Sequence, residues 1–280
     1  MPPVSWAPGQ DDWAARWRAM YDAERAQGEA ATHPDMQRSS DEYAAIARRY
    51  AARTRQIAQP DAFMDWLLPQ LAGRSTILDI GAGAGRYVTP LLAAGHRVVA
   101  LEQSAAMRAQ IPVPTDPAAA RRLTVLAGSW PQTVVPAVAV ALAVHVLYAV
   151  RDIVPFLTAM DAAASEQCVL VLGARHPTTP VLPLWEAYHG SPRLPLPAGY
   201  EALAVLAQLG IAADVTVLPS REPMRYLTRD DAVDDICFRL RLPWDAPHRT
   251  AVTELLAREW GIVEPGPFTV PVPVPPHLVL

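Results

Sequence analysis

Apolar and polar positions follow two rhythms along this chain. Trp13, Trp17, Met20 and Tyr21 recur at helical spacing and predict a helix from Asp11 or Asp12 to about residue 27. Tyr43, Ile46 and Tyr50 predict a second over 41–56, with Ser39 or Ser40 as cap, and Phe63, Trp66, Leu67 and Leu71 a third over 60–71. Then the rhythm changes. Short apolar runs at 76–80, 97–101, 122–127, 138–144 and 167–172 read as buried strands. Helical patterns at 86–94, 104–111 and 152–164 separate them. Beyond lie expected helices at 184–190, 199–209 and 246–260, another within 225–241 with Asp230 or Asp231 near its start, a strand at 214–218 and a final strand within 267–280. Strands alternating with helices predict an α/β fold around a parallel sheet. Residues 133–150 carry no formal charge, but Pro136, His145 and the abundance of Val make this stretch a buried strand, not a membrane span.

The densest chemistry sits between the first two strands. Thr76-Ile-Leu-Asp-Ile-Gly-Ala-Gly-Ala-Gly-Arg86 reads as a strand, a glycine turn and a helix start, and Glu102 stands at the tip of the next strand. Glycine permits positive φ and close approach of a ligand to the backbone. A helix start offers free N–H groups. An acid at the second strand's tip can accept hydrogen bonds from both hydroxyls of a ribose. A dinucleotide fingerprint would run G-x-G-x-x-G. Here the spacing is G-x-G-x-G, Arg86 holds the third glycine's position, and Asp79 lies two residues before Gly81.

The pattern D-x-G-x-G-x-G, with Glu102, resembles motif I and the ribose-binding acid of the class I S-adenosylmethionine-dependent methyltransferases. The specific motif spans residues 76–102. The resemblance implies a Rossmann-like, doubly wound α/β fold: a seven-stranded, mostly parallel sheet with an antiparallel last strand. A helical cap or lid over residues 1–72 would precede a methyltransferase domain over 73–280. It further implies S-adenosylmethionine as cofactor, held by Asp79, Gly81, Gly83, Gly85, Glu102, Gln103, Ser129, Trp130 and His145. The family commonly has an acid for the adenine amino group where this chain has Ser129; Ser129 can accept one hydrogen bond and Trp130 can offer a flat face. Arg48 or Arg53 can meet the cofactor's carboxylate.

The proline-bounded insertion at about 177–198 is expected to help recognise substrate, with Trp185, His189 and, from the rim, Tyr148 as pocket residues. Candidate general bases are His145, at the end of the fourth strand, then His189 and His176. Each can equally hold substrate or satisfy a carbonyl.

Composition narrows the reading. The net charge is -4, which gives no reason to expect a nucleic acid or membrane partner. All 24 basic residues are Arg, so no lysine can act as base or Schiff-base former. No Asn is present, which excludes the Asn-Pro-Pro-Tyr signature of amide and DNA-base methyltransferases. Cys168 and Cys237 sit in apolar contexts and read as free thiols of a cytoplasmic protein. No ligand-spaced cluster points to a metal, and no Gly-x-Ser-x-Gly to a hydrolase. The N-terminus lacks a basic leader followed by an apolar core. The expectation is methyl transfer to a small-molecule acceptor, at oxygen or nitrogen, by a monomer or homodimer. Rivals are a nicotinamide or flavin oxidoreductase, a methyltransferase of RNA or protein, and a non-catalytic cofactor-binding protein.

Overall fold

Thr76–Ile80 (β1) lies between two parallel partners, Arg97–Glu102 (β2) and Val138–Val144 (β4). Its side chains cannot choose a polar face there, so Ile77, Leu78 and Ile80 are at most 1% exposed. The structure is a computed structural model, and it describes residues 12–36, 47–48, 51, 61–71, 73, 75–219, 225–272 and 274–280. The helix expected over 41–56 falls almost wholly outside them, as does Arg53; Arg48 is exposed.

Leu123–Ala127 (β3) pairs with β2, and Ala164–Gly173 (β5) with β4, all parallel. Thr216–Leu218 (β6), Arg225–Tyr226 (β7), Phe268–Thr269 (β8) and His277–Val279 (β9) complete the strands. The main sheet has seven strands in the order β3-β2-β1-β4-β5-β9-β6. Leu170 and Leu280 exchange N–H···O bonds of 2.9 Å, and Ala174 N–H donates to the Pro276 carbonyl, so β9 runs antiparallel to β5. The Rossmann-like sheet expected from the sequence is therefore present. β8 pairs antiparallel with β7 in a separate two-stranded sheet.

The chain divides into two compact units, Arg38–Leu172 with Val279–Leu280, and Met1–Gln37 with Gly173–Leu278. The residues expected as an N-terminal cap contribute to both: helix Trp13–Ala30 to the second unit and Ala62–Gln70 to the first.

In the first unit, Asp61 caps helix Ala62–Leu67 by accepting from Phe63 N–H. Pro69 lacks the N–H needed to continue it, and the chain tightens to a 3₁₀ turn at Leu68–Gln70. Asp152 caps Ile153–Ala163, whose Ile153, Phe156, Leu157 and Met160 are buried. The uncharged run supplies β4. Residues 128–137, between β3 and β4, carry no helix. β3 is an edge strand, and Val125 on it is 41% exposed.

In the second unit, Asp12 caps Trp13–Ala30 through Ala15 N–H, and Trp17 is fully buried. Helices Leu182–His189, Arg229–Arg239 and Ala246–Trp260 bury Leu184, Trp185, Ile236, Val252 and Leu256 in one core. The helix expected within 225–241, with Asp230 or Asp231 near its start, is Arg229–Arg239. Arg225 and Tyr226 are spent on strand pairing, and Thr228 then caps Arg229–Arg239 through Asp231 N–H at 3.1 Å. Among the described residues no helix is long and apolar enough to cross a membrane, and no group of His, Cys, Asp and Glu is placed to hold a metal.

Candidate functional site

The glycine turn after β1 folds back onto β2. Gly81 and Ala82 N–H both donate to the Leu101 carbonyl, at 2.8 and 3.0 Å. Gly81 has φ 69°, and a Cβ there would meet Val146 Cγ2 at 2.7 Å. The end of β4 therefore closes one wall of the turn. Gly83 has φ 58°, but a Cβ there would meet nothing nearer than Met107 Cε at 3.6 Å. A methyl at Gly83 would thus make only ordinary contact, unlike one at Gly81.

Glu102 reaches into this turn from the tip of β2. Its Oε2 accepts from Gly83 N–H at 2.8 Å and its Oε1 from Ser104 N–H at 2.7 Å. Charge-assisted bonds of this kind hold a carboxylate firmly while leaving further lone pairs for a ligand. Asp79 is 2% exposed, and its Oδ2 has no hydrogen-bond partner. Burial, and then the neighbouring Glu102 charge, push its carboxyl up to about 7. A buried acid in this condition favours a ligand that brings a cation or a donor. Two carboxylates also make the turn hostile to a diphosphate. Arg86 does not offset them as a free phosphate binder, because its Nε and Nη2 donate to Asp61 Oδ2 at 3.1 and 2.6 Å.

At the end of β4, His145 takes φ 60°, and its N–H donates to the Val171 carbonyl at 2.8 Å. Its Nδ1 lies 3.2 Å from Tyr148 Oη, and the two rings stack at 5.9 Å. Tyr148, expected as a pocket residue, is brought against His145 by the 3₁₀ turn Leu147–Ala149. Gln103 is exposed, and its carbonyl accepts from Arg108 Nη1. Ser129 is exposed, with Oγ 3.3 Å from Gln132 Oε1. Trp130 is half-buried: its Nε1 donates to the Phe156 carbonyl at 3.1 Å, and its ring meets Phe156 edge-on. Gly85, with φ 79°, ends the turn.

The remaining candidates belong to the second unit. His176 Nδ1 accepts from Thr178 N–H at 3.2 Å and lies 2.7 Å from Thr178 Oγ1. Burial, with Arg239 and Arg193 nearby, pushes its imidazole down to about 3, so it is neutral near pH 7. His189 Nε2 donates to the Leu240 carbonyl at 3.1 Å, and its ring packs on Trp185 at 4.1 Å. Burial lowers its pKa as well. Trp185 is a core residue, 2% exposed, with the Arg193 guanidinium 4.2 Å above its ring. Its size and its place on the inner face of Leu182–His189 account for that burial.

Sequence reasoning did not find the Asp61–Arg86 pair or the role of Val146. The first joins residues far apart in the chain, and the second is one apolar side chain among many.

No protein-family model matches the chain. No curated protein sequence matches it either. Solved structures do. A protein of Anabaena variabilis described as a methyltransferase from an antibiotic biosynthesis pathway is 16% identical, with a TM-score of 0.51 over 80% of this chain and 98% of that one. Magnesium protoporphyrin IX methyltransferase of Synechocystis, solved with S-adenosylhomocysteine, is 15% identical, with a TM-score of 0.45 over 74% and 94%. A TehB-like S-adenosylmethionine-dependent methyltransferase of Corynebacterium glutamicum is 18% identical, with a TM-score of 0.40 over 46% and 74%. Matched over 80% of its length by the Anabaena structure, and with its seven-stranded sheet in the order described above, the chain has the class I methyltransferase fold.

Proposed function

We propose that this protein is an S-adenosylmethionine-dependent methyltransferase that modifies a small molecule at oxygen or nitrogen. The observation that carries the reading is the placement of Glu102: a carboxylate tied to Gly83 N–H in the glycine turn, with the buried Asp79, whose Oδ2 is unsatisfied, as its neighbour. These groups fit a nucleoside bearing an ammonium and lacking phosphate. Glu102 would accept the ribose hydroxyls, Asp79 the ammonium, and Gly83 would let the ligand lie against the backbone. Bound S-adenosylmethionine supplies a methyl group activated by its sulfonium. The chain's own task is then to position the acceptor in line and exclude water.

His145 is the candidate proton acceptor. Its ring is oriented by Tyr148, and an imidazole suits proton removal near neutral pH. Trp130, Ser129 and Gln103 are the candidates for the adenine side. The acidic charge balance and the proline-bounded insertion at about 177–198 favour a small acceptor over nucleic acid.

Calorimetric titration with S-adenosylhomocysteine and with NAD tests the cofactor. Tight binding of the first and none of the second is expected; the reverse would establish an oxidoreductase. An acceptor screen read by S-adenosylhomocysteine release tests the activity. His145→Asn suits that assay because Asn tolerates positive φ. It is expected to keep cofactor affinity and lose turnover; unchanged turnover removes His145 from proton transfer.

A further inference from the structure

Asp61 does two jobs with one carboxylate. Its Oδ1 accepts from Phe63 N–H and starts helix Ala62–Leu67, while its Oδ2 takes both Nε and Nη2 of Arg86. The two charged side chains are only 11% and 18% exposed, so solvent screens the pair weakly. Arg86 is the residue directly after Gly85, the last glycine of the turn. The next residue is held from the same side: Tyr87 is 6% exposed, and Phe63 meets its ring edge-on at 5.3 Å. The Arg86 guanidinium lies 5.3 Å from that ring as well. Residues 61–63 therefore grip both residues that leave the glycine turn. At the turn's other end, Gly81 and Ala82 are bonded to Leu101, and Gly83 to Glu102. A glycine-rich segment has much conformational freedom to lose, so fixing both of its ends lowers the cost of presenting it to a ligand.

We propose that Asp61 is a positioning residue for cofactor binding: acting through Arg86, it holds the glycine turn in its ligand-ready shape. This rests on reading the turn as the cofactor site. Asp61 need not touch the cofactor, and its sequence context, just before a helix, marks it only as a cap.

Asp61→Ser separates the two jobs. Serine keeps an N-cap oxygen for Phe63 N–H but removes the carboxylate to which Arg86 donates. The expected result by calorimetry is an affinity for S-adenosylhomocysteine reduced about tenfold, in line with loss of a charged hydrogen bond. The melting temperature should fall, because a largely buried pair is broken, but kcat at saturating cofactor should be retained while KM for the cofactor rises. Arg86→Gln should do the same, and the double variant should bind no more weakly than the weaker single one. In hydrogen exchange without ligand, a peptide covering residues 81–87 should exchange faster in Asp61→Ser, with the other strands unaffected. Wild-type affinity and wild-type exchange in Asp61→Ser would overturn the proposal, as would additive losses in the double variant. A wild-type protein that binds no S-adenosylhomocysteine would instead overturn the cofactor reading; faster exchange at 81–87 in Asp61→Ser would then still show that Asp61 braces the turn.

Discussion

Glu102 and Gly83 are joined by a 2.8 Å hydrogen bond from the glycine N–H to the carboxylate, and the other carboxylate oxygen accepts from Ser104 N–H at 2.7 Å. The acid thus shapes the turn that it would serve as a ligand contact. Glu102→Gln should reveal both roles. An amide can accept at one position only, so its NH₂ must face a second N–H donor. We expect a stability loss of about 1–3 kcal/mol in urea unfolding and a clear loss of S-adenosylhomocysteine affinity by calorimetry. Unaltered affinity would remove Glu102 from the ligand site.

Gly83 and Gly81 should respond differently to alanine. At Gly83 the added methyl finds ordinary contact at 3.6 Å, leaving a left-handed backbone cost of about 1–2 kcal/mol. Gly83→Ala should fold and yet bind cofactor poorly. Gly81→Ala places its methyl 2.7 Å from Val146 Cγ2, so it should melt well below Gly83→Ala. Adding Val146→Ala should recover part of that loss. Thermal melts paired with calorimetry check both.

Asp79 should make the stability of the ligand-free protein pH-dependent. Its folded pKa, about 7, lies above the ordinary carboxylate value near 4. The folded state therefore holds a proton that the unfolded state has lost between those values. The contribution is fully present below about pH 4 and disappears as pH rises through about 7. Asp79→Asn, which mimics the protonated form, should flatten this part of the profile and melt above the wild type at pH 8. Parallel melting curves for the two proteins between pH 5 and 8 would show that Asp79 is ionised throughout.

In the other unit, Arg193 donates to Glu24 and to the Arg239 carbonyl while lying over Trp185. The Arg193 and Glu24 side chains are 9% and 6% exposed. Arg193→Met would leave Glu24 buried without its cation. The expected destabilisation is about 3–5 kcal/mol, measured by chemical unfolding. Restoring much of that loss with a second change, Glu24→Met, would be the signature of a pair that is costly mainly when broken.

The central strands and the turn were legible because their signals are local. β1, β4 and the helix at Ala246–Trp260 lie where the apolar pattern put them, and Gly81, Gly83 and Gly85 all take the positive φ that their spacing suggested. Asp79, Glu102 and His145 fall at strand ends around one turn because parallel βαβ units deliver strand ends to a common edge. The apolar pattern did not reveal that residues 225–226 pair with 268–269, because strands of two residues leave no periodicity to read. Nor did it tell a pocket tryptophan from a core one at Trp185.

By itself, then, the sequence determined the strand–turn–helix–strand unit, the acids at its mouth and the α/β class. Backbone dihedral preference and burial periodicity are written in neighbouring residues. Only the tertiary structure decided that β9 lies between β5 and β6, that Asp61 grips Arg86, and that Arg193 covers Trp185. Each of these depends on which distant segment fills the space beside a side chain, and a short-range pattern carries no record of that partner.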